Sequence, residues 1–400
     1  MSLRRLTSLE VAGRAIFVRV DFNVPLTPEG EVADDSRIVA SLPTLRYLLD
    51  KGGRLVIASH LGRPKGKPDR KLSLLPVRAV LSKYLKAPVG FAETIVGPEA
   101  EAAARVLKPG EALLLENLRF DPREEANDPE WSRALARLAD AYVNDAFGSA
   151  HRAHASTVGI TAFLPDRAAG FLMEKELSAL GRLLEGAERP YVSILGGAKI
   201  SGKIDVVKNL LPRVDRLLIG GGMMFTFLRA QGIATGRSLV EEEKIPLAAE
   251  LLASPDGGKI GLPVDCRAAA DTGGSDEGRV VPVSAIPPDR MGVDIGPESL
   301  AAIGAVLAEA KTVFWNGPMG IFEMPAYAAG TIGTAREVAI ATRRGAFTVV
   351  GGGDSLAAVR RAEMEHQISH LSTGGGASLE FLEGRELPGV AALEAAARPA

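Results

Sequence analysis

Short apolar runs recur along the chain, and between them lie longer stretches whose apolar positions return every three to four residues. In the first half the runs fall at residues 15–20, 54–58, 112–115 and 141–143; in the second they fall at 191–195, 216–219, 260–264, 312–315 and 347–350. None alternates regularly with polar residues, the pattern expected of strands buried on both faces. Residues 36–51, 74–85, 129–140 and 298–310 carry helical spacing. Strand and helix in alternation imply right-handed parallel crossovers, hence an α/β fold with mostly parallel sheets. Nine such strands suit two sheets better than one.

The length agrees: 400 residues exceed one ordinary core. A boundary is expected on residues 173–186. Leu177, Leu180, Leu183 and Leu184 stand there at helical spacing between Gly170 and Gly186. That stretch reads as a packed, stiff connector, or else as one more core helix. It would divide a domain of residues 1–172 from a second opening at 187. The Ala-rich stretch 390–400 is helix-prone and silent about function.

Charge narrows the partners. The formal net charge is -2, so no global basic field draws in nucleic acid or acidic lipid, and anion binding must come from local clusters. Hydrophobic residues at 46% and charged residues at 24% are ordinary for a globular protein. The single cysteine, Cys266, cannot form an internal bridge and fits a reducing compartment. Residues 1–10 lack an apolar core of signal-peptide length, and no apolar run reaches membrane-spanning length. A cytoplasmic protein is expected, with neither nucleic acid nor membrane as partner.

In open α/β sheets ligands bind outside the carboxyl ends of strands. In the first half those ends carry Asp21-Phe22-Asn23, Ser59-His60-Leu61-Gly62-Arg63, Glu116-Asn117-Leu118-Arg119, and Asn144-Asp145 leading to His151-Arg152. Arg63, Arg119 and Arg152, with Arg37 opening its own helix, are four guanidinium groups that bind carboxylate or phosphate through paired, charge-assisted hydrogen bonds. Any one alone reads equally well as a surface ion pair; four with His60 suit a small, highly anionic ligand. In the second half the ends carry Gly196-Gly197-Ala198-Lys199, Gly220-Gly221-Gly222, Asn316-Gly317-Pro318 and Gly351-Gly352-Gly353-Asp354-Ser355. Glycine lets a backbone approach closely, and the helix start beyond it offers N–H groups to nucleotide phosphates. Asp354 adds a carboxylate for phosphate-bound Mg²⁺, and Thr373-Gly374-Gly375-Gly376 supplies another helix start. Singly, each glycine cluster is as well explained as an ordinary turn.

Residues 197–204 nearly form a phosphate-binding P-loop, but Ile204 stands where Ser or Thr must follow the lysine to hold Mg²⁺. Nor is there a dinucleotide fingerprint, since Phe225 occupies the position of its last glycine. A P-loop NTPase and a nucleotide-binding regulator without catalysis remain as rival readings.

Taken in order, these segments resemble the phosphoglycerate kinase family through nearly the whole chain. The carrying motifs are Arg19-Val20-Asp21-Phe22-Asn23-Val24-Pro25, Ser59-His60-Leu61-Gly62-Arg63-Pro64, Glu116-Asn117-Leu118-Arg119-Phe120, Ala150-His151-Arg152-Ala153-His154, Trp315-Asn316-Gly317-Pro318-Met319-Gly320, and the glycine clusters already given. The resemblance implies two Rossmann-like domains facing across a cleft, the second spanning residues 187–372, with residues 373–400 returning to the first. It implies reversible phosphoryl transfer between 1,3-bisphosphoglycerate and ADP, with Mg²⁺, by a monomer. By resemblance, Asp21, Asn23, Arg37, His60, Leu61, Gly62, Arg63, Arg119 and Arg152 bind 3-phosphoglycerate. Arg37, Lys203, Gly374 and Gly375 act on the transferring group. Lys199, Lys203, Gly220, Gly221, Gly292, Asn316, Glu323, Gly352, Gly353, Asp354 and Ser355 bind ATP or ADP, and Asp354 carries Mg²⁺. The family commonly has a larger polar residue where this chain has Gly202, a change expected to loosen the following helix start by up to about 1 kcal/mol.

Overall fold

The apolar runs of the first half pair into one sheet. In the computed structural model, which describes residues 3–394, β1 (Ala15–Arg19), β2 (Arg54–Ala58), β3 (Val89–Ala92), β4 (Ala112–Leu115), β5 (Ala141–Asn144) and β6 (Arg167–Ala169) lie in the order β3-β4-β2-β1-β5-β6. Every pairing is parallel. β1, β4 and β5 are buried along their whole length, which is why they read as unbroken apolar runs. The two edge strands were not legible: β3 exposes Gly90, and β6 has only three residues. Helix Ser36–Asp50 buries Ile38, Leu42, Leu45 and Leu48, one turn apart, in the same core as Ile16, Val18, Leu55 and Ile57. Each such side chain contributes roughly 1.5–3 kcal/mol by leaving water.

The second half repeats the plan with an addition. After β7 (Tyr191–Leu195), β8 (Arg216–Ile219) and β9 (Ile260–Gly261), the chain builds a separate antiparallel sheet from β10 (Asp265–Ala269), β11 (Arg279–Pro282) and β12 (Met291–Ile295). It then rejoins the parallel sheet as β13 (Thr312–Asn316), β14 (Phe347–Gly351) and β15 (His370–Ser372), giving the order β15-β14-β13-β7-β8-β9. The expected strand at 260–264 is therefore cut to two residues. Pro263 has no N–H to donate, so the ladder stops ahead of it, and Asp265 starts pairing in the other sheet.

The chain divides into two units, one running to Ser178 and resuming at Glu386, the other being Ala179–Arg385. The division falls inside helix Phe171–Leu184. The return begins later than the expected residue 373. Helix Gly376–Leu382 buries Ala377, Phe381 and Leu382, and Asn209 donates to the Leu382 carbonyl at 2.6 Å, which keeps this segment in the second unit. Only from Glu386 does the chain join the first unit, where the Gly389 N–H donates to the Ala150 carbonyl at 2.8 Å. Residues 395–400, part of the silent Ala-rich stretch, lie outside the described residues.

Candidate active site

In the first unit the chain reverses its lateral direction between β1 and β5, and the crevice at such a switch point is where open sheets bind ligands. The turn leaving β1 places Asp21 there, buried, with its Oδ1 accepting from the Asn23 N–H at 3.3 Å. The Arg37 guanidinium donates to Asp21 Oδ2 at 2.6 Å. The turn leaving β2 contributes His60, whose Nδ1 lies 3.9 Å from Asp21 Oδ1. Leu61 is buried, and the Gly62 N–H donates to Asn23 Oδ1 at 2.8 Å. The Gly62 carbonyl accepts from Arg119 Nη1 at 2.9 Å, so that glycine, at φ +62°, ties three strand ends together. The structure thus gathers Asp21, Asn23, Arg37, His60, Leu61, Gly62 and Arg119. Arg152 is half-buried and close enough to depress the basicity of Arg119, while Arg63 is exposed on its loop.

The charges settle each other's state. Burial works against an Asp21 carboxylate, but the Arg37 and Arg19 guanidinium groups and the Asn23 N–H outweigh it and lower its pKa to about 2. Burial also pushes His60 well below the usual imidazole range; Asp21 opposes this, and Arg19, Arg119 and Arg37 add to it. His60 is therefore neutral, and Arg37 and Arg19 are the cations that keep Asp21 ionised. Burial, with Arg152 beside it, lowers Arg119 to about 10. Its Nη2 is buried without a partner among the described residues. An orphaned charged donor is costly, and an anionic ligand would satisfy it.

In the second unit the reversal falls between β7 and β13. Leu195 and Asn316 are in register at the two strand ends. Lys203 spans them, its Nζ donating to the Gly196 carbonyl at 2.7 Å and the Asn316 carbonyl at 2.9 Å. Burial lowers this lysine to about 8, with Asp354 pulling the other way. The Gly317 N–H donates to Ser355 Oγ at 2.6 Å, joining the turn after β13 to helix Gly353–Arg361. Asn316 is buried, and its Nδ2 lacks a partner among the described residues. Gly352, at φ +91°, passes close over that amide. Lys199 and Asp354 are exposed. Gly374 is buried, and Gly375 caps helix Gly376–Leu382.

Beside these turns lies a cavity of about 520 Å³. Gly197, Gly221 and Gly292 border it, Phe225, Leu239 and Met291 give it an apolar wall, and Glu323 and Asp354 stand at its rim. Gly221 holds φ +64°, and a Cβ there would meet the Gly197 backbone at 2.5 Å. Gly220 is buried under Met319. Arg361 Nη1 donates to the Phe322 carbonyl at 2.7 Å and so anchors the segment carrying Glu323.

Several parts escaped the sequence reading. Arg19 is buried within the cluster, and its one signal was an arginine ending an otherwise apolar run. Phe225, Leu239 and Met291 gave none, because apolar cavity walls look like core. Gly202 also behaves differently from expectation: it lies in the turn ahead of helix Ile204–Leu210, so a helix-interior penalty does not apply.

As to metal, no group of three or more His, Cys, Asp or Glu side chains is placed to hold one among the described residues. Two exposed carboxylates, Glu323 and Asp354, stand at the rim of the cavity. That donor set fits Mg²⁺, which is commonly held by one or two carboxylates and the phosphates of its substrate.

Two parallel α/β units, one ending its strands in guanidinium groups and a neutral imidazole, the other in glycine turns and a half-buried lysine, define a phosphotransferase. The sequence matches the family model for phosphoglycerate kinase over residues 6–385. The chain belongs to the phosphoglycerate kinase family. It is 56% identical to the phosphoglycerate kinase of Thermomicrobium roseum over 98% of this chain and 99% of that one. It is 55% identical to that of Moorella thermoacetica, again over 98% and 99%. The solved structure of phosphoglycerate kinase from Coxiella burnetii superposes with a TM-score of 0.88 at 38% identity, covering 99% of this chain and 100% of that one. Among the described residues, no helix is long and apolar enough to cross a membrane.

Proposed function

We propose that the chain catalyses reversible, Mg²⁺-dependent phosphoryl transfer between 1,3-bisphosphoglycerate and ADP, giving 3-phosphoglycerate and ATP, the step that glycolysis and gluconeogenesis share. The observation that carries this reading is the cluster at the ends of β1, β2 and β4. Guanidinium groups and a neutral imidazole surround one carboxylate, a site suited to a small polyanion that also bears a hydroxyl.

In this reading Arg63, Arg119 and Arg152 take the phosphate and carboxylate of the acid with His60, while Asp21 and Asn23 orient its hydroxyl. Leu61 and Gly62 shape the loop beneath it. The nucleotide occupies the second unit: its base lies against Gly220, Gly221 and Gly292, its ribose at Glu323, and its phosphates along Lys199, Lys203, Asn316, Gly352, Gly353 and Ser355. Mg²⁺, held by Asp354 and the phosphates, would supply charge neutralisation. Phosphoryl transfer asks for positioning and electrostatic stabilisation more than for covalent chemistry. The acid's carboxylate is already ionised, so no general base is required. Arg37, Lys203 and the backbone N–H groups of Gly374 and Gly375 balance the charge on the group in flight.

The acid-binding and nucleotide-binding residues belong to different units, so the reading requires closure about helix Phe171–Leu184 once both ligands are bound. Closure also expels water that would compete as acceptor. Small-angle scattering with and without both ligands tests it; no compaction would refute it. The same reading makes the protein a cytoplasmic monomer, and sedimentation velocity checks the oligomeric state. The direct test of function is ADP release from MgATP in a coupled assay. Turnover is expected only when 3-phosphoglycerate is added. Hydrolysis without the acid, or no turnover with it, overturns the reading.

A further inference from the structure

Arg19 ends β1 and is fully enclosed, at 1% exposure. A buried arginine must place its donors or leave a charge unpaid. Its Nη1 donates to the Val20 carbonyl, and its Nε donates to Ser156 Oγ at 2.9 Å. Ser156 Oγ in turn donates to Glu124 Oε1 at 2.5 Å, and the Ser156 N–H donates to Glu124 Oε2 at 3.1 Å. Glu124 and Ser156 are both at 0% exposure. Arg19 Nη2 lies 3.2 Å from His60 Nδ1. One continuous buried chain thus runs from a carboxyl group to an imidazole nitrogen.

The chemistry at its end has a single solution. Guanidinium carries donors and no acceptor, so at this contact Nδ1 must be the acceptor. An accepting Nδ1 holds no proton, and the ring proton of a neutral imidazole then resides on Nε2. The Asp21 carboxylate would favour the opposite arrangement, a proton on Nδ1, but at 3.9 Å it lies beyond hydrogen-bond distance. We propose that Arg19, held by Ser156 and Glu124, is a positioning residue that fixes His60 as a neutral Nε2–H donor. This deepens the reading above, in which His60 meets an anionic oxygen of the acid. A ring with its proton on Nδ1 would offer that oxygen a lone pair and repel it.

Long-range ¹H–¹⁵N correlation of the ligand-free protein reads which ring nitrogen carries the proton, with His60→Ala assigning the signal. At neutral pH the parent should show the Nε2–H form alone; an Nδ1–H ring or an imidazolium overturns the proposal. Arg19→Gln should give a mixture of tautomers and raise KM for the acid about 10-fold, with KM for the nucleotide unchanged. Since Arg19 is buried, Ser156→Ala serves as the milder variant. It keeps the Nη2 contact, so it should retain the Nε2–H signature with a smaller rise in the acid's KM. Equal loss of both KM values in Ser156→Ala marks a merely structural part and overturns the role. The NMR readout needs no substrate, so a wrong tautomer leaves the kinase reading standing, and absent turnover leaves the tautomer result standing.

Discussion

Arg37 and Asp21 are bound to each other across 2.6 Å, each a group the proposed reaction needs. The pair is lopsided. Asp21 is enclosed in the turn leaving β1, whereas the Arg37 side chain is 31% exposed at the first turn of helix Ser36–Asp50. The carboxylate is the fixed member and the guanidinium the one that can be drawn off by a more strongly charged partner.

Arg37→Ala is accordingly expected to lower kcat by roughly 10²–10³ or more, the scale of losing a charge-stabilising donor in a transition state. Nucleotide affinity should be nearly unchanged. Steady-state kinetics with calorimetric titration of MgADP checks both; equal loss of nucleotide binding would contradict the assignment of Arg37 to the transferring group.

Asp21 gives a stability signature in acid. Its pKa falls from 3.8 unfolded to about 2 folded, so its contribution is complete above about pH 4 and is lost as pH falls toward 2. Asp21→Asn should remove about 2 kcal/mol at pH 6 and flatten the pH dependence across that window. Urea midpoints from pH 2 to 6 measure it.

Lys203 should make nucleotide binding weaken with alkali. Burial lowers it to about 8 in the free protein, so the charge is lost above that pH. Unfolded chains hold this proton up to about 10.5, and stability from this group rises with pH between the two values. Calorimetry of MgADP from pH 6.5 to 9.5 should show affinity falling through about pH 8. In Lys203→Met affinity should be at least about 10-fold weaker at pH 7, with that slope absent.

Gly221→Val is expected to abolish nucleotide binding while leaving the first unit's acid affinity intact. The substitution forces a β-branched residue to φ +64° and drives its Cβ against the Gly197 backbone and the Pro318 carbonyl. A fluorescence titration with nucleotide and a second with 3-phosphoglycerate separate the two outcomes.

Asp145 caps the helix that crosses between the units. Its Oδ1 accepts from the Leu172 N–H at 2.9 Å and the Met173 N–H at 3.2 Å. Burial raises its pKa to about 7, against the pull of the nearby Thr44 hydroxyl and those two N–H groups. Between pH 4 and 7 the folded protein holds a proton that the unfolded chain does not, so this residue makes stability fall as pH rises through that window. Asp145→Asn should remove a pH-dependent change of about 4 kcal/mol, read from denaturation midpoints between pH 4 and 8.

Strands buried on both faces leave a plain trace in sequence, because most of their positions are apolar with no polar alternation; Ala15–Arg19, Tyr191–Leu195 and Thr312–Asn316 were legible for that reason. The edge strand Val89–Ala92 and the antiparallel sheet at residues 265–295 were not, since half-exposed strands tolerate mixed residues and their pairing is non-local. The site divides the same way. Chemistry that needs a particular residue type at a strand end, such as Asp21, His60, Arg119 or the Gly351–Gly353 run, is written locally.

What the chain order could not state is which side chains meet. That Arg19 reaches Ser156 and His60, that Lys203 bridges the ends of β7 and β13, and that Phe225 and Leu239 wall one cavity all depend on packing across distant segments. Residue type is a property of a position, whereas protonation state, tautomer and pairing are set by neighbours that only the folded chain supplies.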